Sequence, residues 1–395
     1  MREDNRRSRV VKNGFMGLFC MKKRIFAAGM LIVLVLSLCA CSLPEQVSEW
    51  IFSEPERLTD DRSVYEILQE GVLDSQEQIP FLSAHSEQEV TETYRSLLDD
   101  HPEYFWVADS YTIHVYDDGS VASFCPDYVV APEEIPQIQT RIDAQVSALV
   151  SEASALPDEF EKALFLHDYL VQSVEYDSEA ADHITQQQTE QAADASSIYG
   201  VFINQKAVCS GYAKAYQYLL TQVGIESVYV LGQGRISEQG TEEHIWNIVY
   251  LEGNPYHIDV TWDDPVFEDG ESDDYVYHDY FGLTTEQILR DHTITDGQDL
   301  PVCEAEACNY FVRKGLYLES YQFETVRQII ETAVAQQAEV AEVCFASQAE
   351  QQKAITQLIE EGRLFDIPII DDLFPEGMFY TTAETPFRIT FYLTD

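Results

Sequence analysis

The chain has 395 residues, 45% of them hydrophobic and 12% aromatic, and it carries 23 Lys and Arg against 70 Asp and Glu for a formal net charge of −47. That apolar content is ample for folded cores. The charge excludes nucleic acid as a partner, because phosphate binding needs a basic footprint, and it argues against a body lying flat on anionic lipid.

The basic residues gather at the start. Met21-Lys22-Lys23-Arg24 precedes an apolar run over residues 25–38, too short for a usual membrane span but suited to an export signal. Leu38-Cys39-Ala40-Cys41 followed by Ser42 resembles the lipobox of bacterial lipoproteins. That resemblance implies cleavage before Cys41, a diacylglyceryl group on its thiol, and a stable anchor on the outer face of the cytoplasmic membrane of a bacterium. Residues 1–20 precede a better signal start at Met21 and are set aside from the fold. The expected organisation is a signal over 1–40, a polar tether over 41–60, an α+β domain over 61–154, a catalytic domain over 155–300 and a second α+β domain over 301–395.

In the first of these domains, Val90, Tyr94, Leu97 and Leu98 recur at helical spacing before His101-Pro102. Extended runs follow at 106–116 and 121–128, with Asp117-Asp118-Gly119 as the turn, and 138–149 reads helical again. The dense aromatics Tyr104, Phe105, Trp106, Tyr111 and Tyr116 are read as core, with a ligand-binding face as the alternative.

The next domain opens with a helix over 158–173, on which His167 is read as a packed residue rather than a catalytic one. Residues 177–195, rich in Gln, Ala and acids, read as a loop beside the site that gates access. Cys209 then stands at the mouth of a helix over 210–223 in which Ala213, Tyr216, Leu219, Leu220 and Val223 fall on one face, with Gly224 as the stop. A thiol at a helix N-terminus meets the positive end of the helix dipole, which favours thiolate, and the first-turn N–H groups are free to hold an oxyanion.

Two strand-like runs, 245–251 and 256–262, flank Glu252-Gly253-Asn254-Pro255. With Glu252-Gly253 as the tight turn, Leu251 faces Asn254, Trp246 faces Asp259, and His244 becomes a diagonal neighbour of Asp259, roughly 7–8 Å away at the backbone. A carboxylate there orients the imidazole and stabilises imidazolium. By the same count Asp263 lies on that face too, as the rival orienting acid, while His257 lies deeper along the hairpin.

Cys209-Ser210-Gly211-Tyr212-Ala213-Lys214-Ala215, His244-Ile245-Trp246-Asn247 and His257-Ile258-Asp259-Val260-Thr261-Trp262-Asp263-Asp264-Pro265 resemble the transglutaminase-like superfamily in its bacterial branch. The resemblance spans about 150 residues. It implies an α+β, papain-like core in which a helix bearing the Cys packs on an antiparallel sheet bearing the His and Asp, flanked by smaller α+β domains. It also implies Cys209 as nucleophile, His244 as general base and acid, and Asp259 as orienting acid. Ser210, Trp246, Asn247, Trp262 and Asp263 belong to the vicinity of the substrate or oxyanion, with the two tryptophans equally readable as core. The implied activity is acyl transfer or hydrolysis on protein or peptide amides, cell-wall peptides among them. The alternative is a surface binding module that uses the fold as scaffold, and a further one is a metal-dependent hydrolase built on His and Asp.

No cofactor is implied. Calcium is compatible with the acidic run over 263–274, but its spacing is not that of an EF-hand and a solvated loop is the simpler reading. Cys303 and Cys308 are spaced to bridge or to stay free, and they lack a second pair for zinc. Gly232-Gln233-Gly234 lacks the third glycine and helix of a dinucleotide site. Toward the end, a short helix is expected over 284–290, a strand over 310–318, helices over 323–337 and 348–361, and strands over 342–346 and 387–393.

Overall fold

The computed structural model describes residues 10–11, 60–186, 192–237, 240–265, 275–374 and 377–393. These fall into two compact units, one drawn from Met1–Arg141 with Glu179–Asp194 and the other from Ile142–Ser178 with Ala195–Asp395. The export signal, Cys41 and most of the acidic run over 263–274 lie outside the described residues.

In the first unit, Ser63 and Glu66 form a capping box at the head of helix α1 (Val64–Leu73), and Ser86 caps α2 (Glu87–Asp100). Val90, Tyr94, Leu97 and Leu98 are the buried face of α2. Four strands pair in the order β1-β3-β4-β2, namely β1 (Val10–Val11), β2 (Ile79–Pro80), β3 (Val107–Val115) and β4 (Val121–Tyr128). Tyr94 packs between Tyr111 and Phe124, with ring centroids 5.7 and 4.5 Å away. Tyr104, Phe105, Trp106 and Tyr111 are core, as read, whereas Tyr116 is exposed where the hairpin turns.

The second unit begins within α3 (Ile135–Ser154), whose Ile142, Val146, Leu149 and Ala153 are buried. Asp158 caps α4 (Glu159–Ser173), which buries Phe160, Leu164, His167 and Leu170. The short strand β5 (Glu175–Tyr176) runs parallel to β6 (Lys206–Ala207) and leads the chain to α6 (Cys209–Gln222). The stretch between them read as a loop contains a helix, α5 (Ser178–Thr185), whose residues from Glu179 on belong to the first unit.

Helix α6 packs on a five-stranded sheet ordered β10-β9-β8-β7-β11, antiparallel at every pairing. Its strands are β7 (Ser227–Ser237), β8 (Gly240–Leu251), β9 (Asn254–Ile258), β10 (Phe281–Leu283) and β11 (His292–Ile294). The hairpin register is the one read from the turn: Leu251 pairs with Asn254 and Asn247 with Ile258. Positive φ at Glu252 and Gly253, 52° and 82°, marks a tight primed turn. The second strand is shorter than expected. It ends at Ile258, and the chain turns over residues 260–263.

The tail forms its own sheet, ordered β12-β13-β15-β14, from β12 (Tyr317–Leu318), β13 (Val340–Phe345), β14 (Tyr380–Glu384) and β15 (Phe387–Tyr392). Helices α9 (Phe323–Ala335) and α10 (Gln348–Ile355) help enclose its core with α7 (Thr285–Ile288) and α8 (Tyr310–Arg313) preceding them in the chain. Residues 310–313 are therefore helical where a strand was expected, because Asn309 caps them and Gly315 breaks the run. Arg388 of β15 makes a bidentate pair with Asp279, at 2.6 and 2.8 Å, which ties this sheet to the loop before β10.

Candidate active site

Helix α6 begins in an unusual way. Among the described residues, α1, α2, α4, α7, α8 and α10 start at a capping Ser, Asp, Thr or Asn, but Val208 stands at the N-cap of α6 and offers no side-chain acceptor. The Gly211 N–H bonds the Val208 carbonyl at 2.8 Å, and the N–H groups of Cys209 and Ser210 are left for another acceptor. Gly211 lets this end sit deep: a Cβ there would lie 2.3 Å from the Ala195 carbonyl oxygen and 2.9 Å from the Ala207 methyl. The Val208 N–H bonds the same carbonyl at 3.0 Å. Cys209 itself remains partly exposed, while Ser210 behind it is buried.

The imidazole comes from β8. His244 is buried, and its Nε2 lies 2.5 Å from Asp259 Oδ2. Cys209 is near enough to raise the affinity of the same ring for its proton, and since Nε2 is taken by the carboxylate, Nδ1 is the nitrogen left for the thiol. Burial drives this ring toward the neutral form, but Asp259 and Cys209 outweigh it and hold His244 well above the ordinary imidazole value.

Asp259 is placed by the turn that ends β9. Its own N–H donates to the Tyr280 carbonyl at 3.1 Å, and its Oδ1 accepts the N–H groups of Thr261 and Trp262 at 3.1 and 3.2 Å. Burial would push this carboxyl up, yet His244 and then His292 hold it below the usual carboxylate range. The same turn corrects the expected place of Asp263. The Asp263 N–H folds back onto the Asp259 carbonyl at 3.3 Å, and its carboxylate meets His167 Nε2 at 3.1 Å and the Tyr280 N–H at 3.0 Å instead of facing His244.

Trp246 is buried, its ring stacked at 19° on His244 with centroids 6.0 Å apart, and its indole N–H donates to His257 Nδ1 at 2.9 Å. Trp262 lies 5.4 Å from His244. Asn247 points the other way and donates to the Ala213 carbonyl at 3.2 Å, pinning β8 to α6. Gly232 and Gly234 of β7 make room for the two indoles: a Cβ at Gly232 would meet the Trp246 ring at 2.5 Å, and one at Gly234 the Trp262 ring at 2.4 Å.

Some neighbours of the site escape the sequence reading. Tyr176 pairs with Ala207, two residues before Cys209, and feels Cys209, Glu242 and Asp259. Burial first, then those negative neighbours, push its hydroxyl up, so it stays a protonated donor. The extended Val174-Glu175-Tyr176 run after α4 was its only local signal. His292 is the other: buried on β11, it places Nε2 3.1 Å from Asp259 Oδ2.

Among the described residues, two groups have the donor types of a metal site, His244 with Asp259 and His292, and His167 with Asp168 and His278. In the first, His244 Nε2 and His292 Nε2 both lie within hydrogen-bond distance of Asp259 Oδ2, at 2.5 and 3.1 Å. In the second, Asp168 Oδ1 accepts from both His167 Nδ1 and His278 Nε2 at 2.9 Å, and His167 is further held by Asp263. Cys303 and Cys308 are separate buried thiols, so the bridge weighed for them is not formed.

Residues 147–260 match the family model described as the Transglutaminase-like superfamily. Kyphoscoliosis peptidase of Mus musculus is 27% identical over 164 residues, covering 39% of this chain and 23% of that protein. Its Homo sapiens counterpart is 28% identical over 160 residues, covering 38% and 23%. The chain thus spans less than a quarter of the length of these curated relatives. A TGase of known crystal structure covers 50% of this chain and 53% of its own, at 18% identity and a TM-score of 0.29. Cys209, His244 and Asp259 thus all fall within the stretch, residues 147–260, that matches the Transglutaminase-like superfamily model.

Proposed function

We propose that the protein is a thiol enzyme acting on amide bonds of proteins or peptides through Cys209, His244 and Asp259. The observation that carries this reading is the 2.5 Å contact between His244 Nε2 and Asp259 Oδ2, with Cys209 near the same ring at a helix start that has no side-chain cap. His244 Nδ1 takes the thiol proton, and the sulfur attacks the amide carbonyl carbon. The negative oxygen that forms is stabilised by N–H groups at the start of α6. The C–N bond then breaks as His244 gives its proton to the leaving amine, and a thioester remains on Cys209. Water attacks the thioester, His244 accepts its proton, and the C–S bond breaks to release acid and thiol.

Hydrolysis is the favoured fate, because a site bathed in water delivers water to the thioester, and the relatives named above are peptidases. An acceptor amine in place of water would give a cross-link. The chemistry calls for no cofactor, so activity is expected to persist in a chelator, and its loss there would favour a metal hydrolase. We further propose that the mature protein starts at a lipidated Cys41 on the outer face of the bacterial membrane. Cleavage there would remove Val10–Val11, a two-residue edge pairing.

Wild type and Cys209→Ala, each beginning at Ser42, would be incubated with a dansylated amine and a proteome or cell-wall extract and read by mass spectrometry. New amino termini lost in the variant support a protease, and lost amine incorporation supports a cross-linking enzyme. No difference between the two proteins would point to a binding scaffold.

A further inference from the structure

His292 has both ring nitrogens against carboxylates. Nε2 lies 3.1 Å from Asp259 Oδ2, and Nδ1 lies 2.7 Å from Asp291 Oδ1. A carboxylate oxygen only accepts, so each nitrogen carries a proton and the ring is an imidazolium. Asp291 is fixed in turn by the Tyr280 hydroxyl at 2.9 Å. The ring is buried, with centroids 4.2 Å from Trp262, 5.0 Å from Trp246 and 5.4 Å from His244.

The sheet explains how the rings of His244 and His292 meet. β8 and β11 lie on opposite sides of β7, two strand spacings or roughly 9.5 Å apart. His244 pairs with Gly232 and His292 with Gly234, so β7 itself puts no side chain between them. The titratable groups that face His292 are Asp291 beside it, Asp259 after β9, His244 from β8, His257 from β9 and Tyr280 before β10.

We propose that His292 is a positioning residue of the Cys209–His244–Asp259 unit, a buried cation that shares Oδ2 of Asp259 with His244 and sets how tightly His244 holds its proton. The inference rests on the thiol-enzyme reading above. A buried carboxylate on Nε2 with no second partner raises the basicity of the whole ring and so slows release of the Nδ1 proton to a leaving amine. A second positive charge on the same oxygen weakens that grip and holds the carboxylate in place. His292 lies on the edge strand β11, beyond the residues matched to the family model.

The test is the pH profile of Cys209 alkylation by iodoacetamide, read on the Cys209 peptide in the full-length chain. His292→Gln keeps an N–H toward Asp259 but removes the charge. Both proton losses of the Cys209–His244 pair should then move to higher pH by about one to two units, because a cation that repelled those protons has gone. His244→Ala is the control and should abolish reactivity at pH 6. If His244→Ala changes nothing, the thiol-enzyme reading fails. If His244→Ala acts but His292→Gln leaves the profile in place, the role of His292 is overturned. Should the Gln variant not fold, nitrogen-15 spectra of the wild-type ring decide. Two protonated nitrogens on His292 at pH 8 are expected, and one bare nitrogen contradicts the proposal.

Discussion

The second unit holds two buried His and Asp clusters, built from the same residue types and put to different ends. Around Asp259, both imidazoles converge on one oxygen, the ring of His244 keeps a nitrogen for Cys209, and the thiol is partly exposed. Around His167, both ring nitrogens are consumed by Asp168 and Asp263, and His278, which also bonds Asp168, stacks on Tyr310 with centroids 3.9 Å apart. The one ring nitrogen of this cluster without a partner among the described residues, His278 Nδ1, is buried. The contrast teaches that a His–Asp pair becomes chemistry only where one nitrogen stays open to a reactive neighbour. A closed pair is a fastener that joins α4 to the turn after β9.

Substitutions should separate these roles. The largest effect is expected for Cys209→Ala, with turnover of any amide substrate lost and thermal stability kept. Asp259→Asn comes next. It retains the shape but favours the wrong tautomer of His244, and kcat should fall by roughly 10³–10⁴-fold. A loss below tenfold would break the assignment of Asp259. In the other cluster, Asp263→Ala leaves the buried His167 imidazolium short of a partner and should cost about 3–5 kcal/mol of stability in denaturant unfolding, with Cys209 still reactive. A change in reactivity without a loss of stability would place Asp263 in the site.

Acidity sharpens the same contrast. Burial lowers the His167 value, but Asp168 and Asp263 raise it to about 9 from 6.5. A raised histidine contributes stability that is fully present below its unfolded value and lost as pH rises through the folded one. The stability gap between wild type and His167→Gln should therefore shrink between pH 6.5 and about 9. The smallest effect is expected for Gly234→Ala, whose methyl would displace the Trp262 ring and cost about 1–3 kcal/mol.

Much of the geometry around β8 was legible in the sequence because it is local. Glu252-Gly253 sets a two-residue turn, and a two-residue turn fixes which residues of 244–251 and 254–258 face one another. The helix after Cys209 was legible from its apolar spacing. Asp263 was misplaced because alternation was extended past Ile258, where side-chain-to-backbone bonds from Asp259 bend the chain. His292 and Tyr176 were invisible because they reach the site through non-local pairing of β11 with β7 and of β5 with β6. The glycines at 232 and 234 read as an incomplete nucleotide motif, and their purpose emerges only when two indoles are seen filling the space above them.

The central claim is that Cys209 is activated by His244, and the most direct measurement is the rate at which iodoacetamide modifies Cys209 at pH 6 in the wild type and in His244→Ala. The account predicts rapid modification of Cys209 over the buried Cys344 in the wild type and its loss in the variant. Equal, slow modification of Cys209 in both proteins would contradict it.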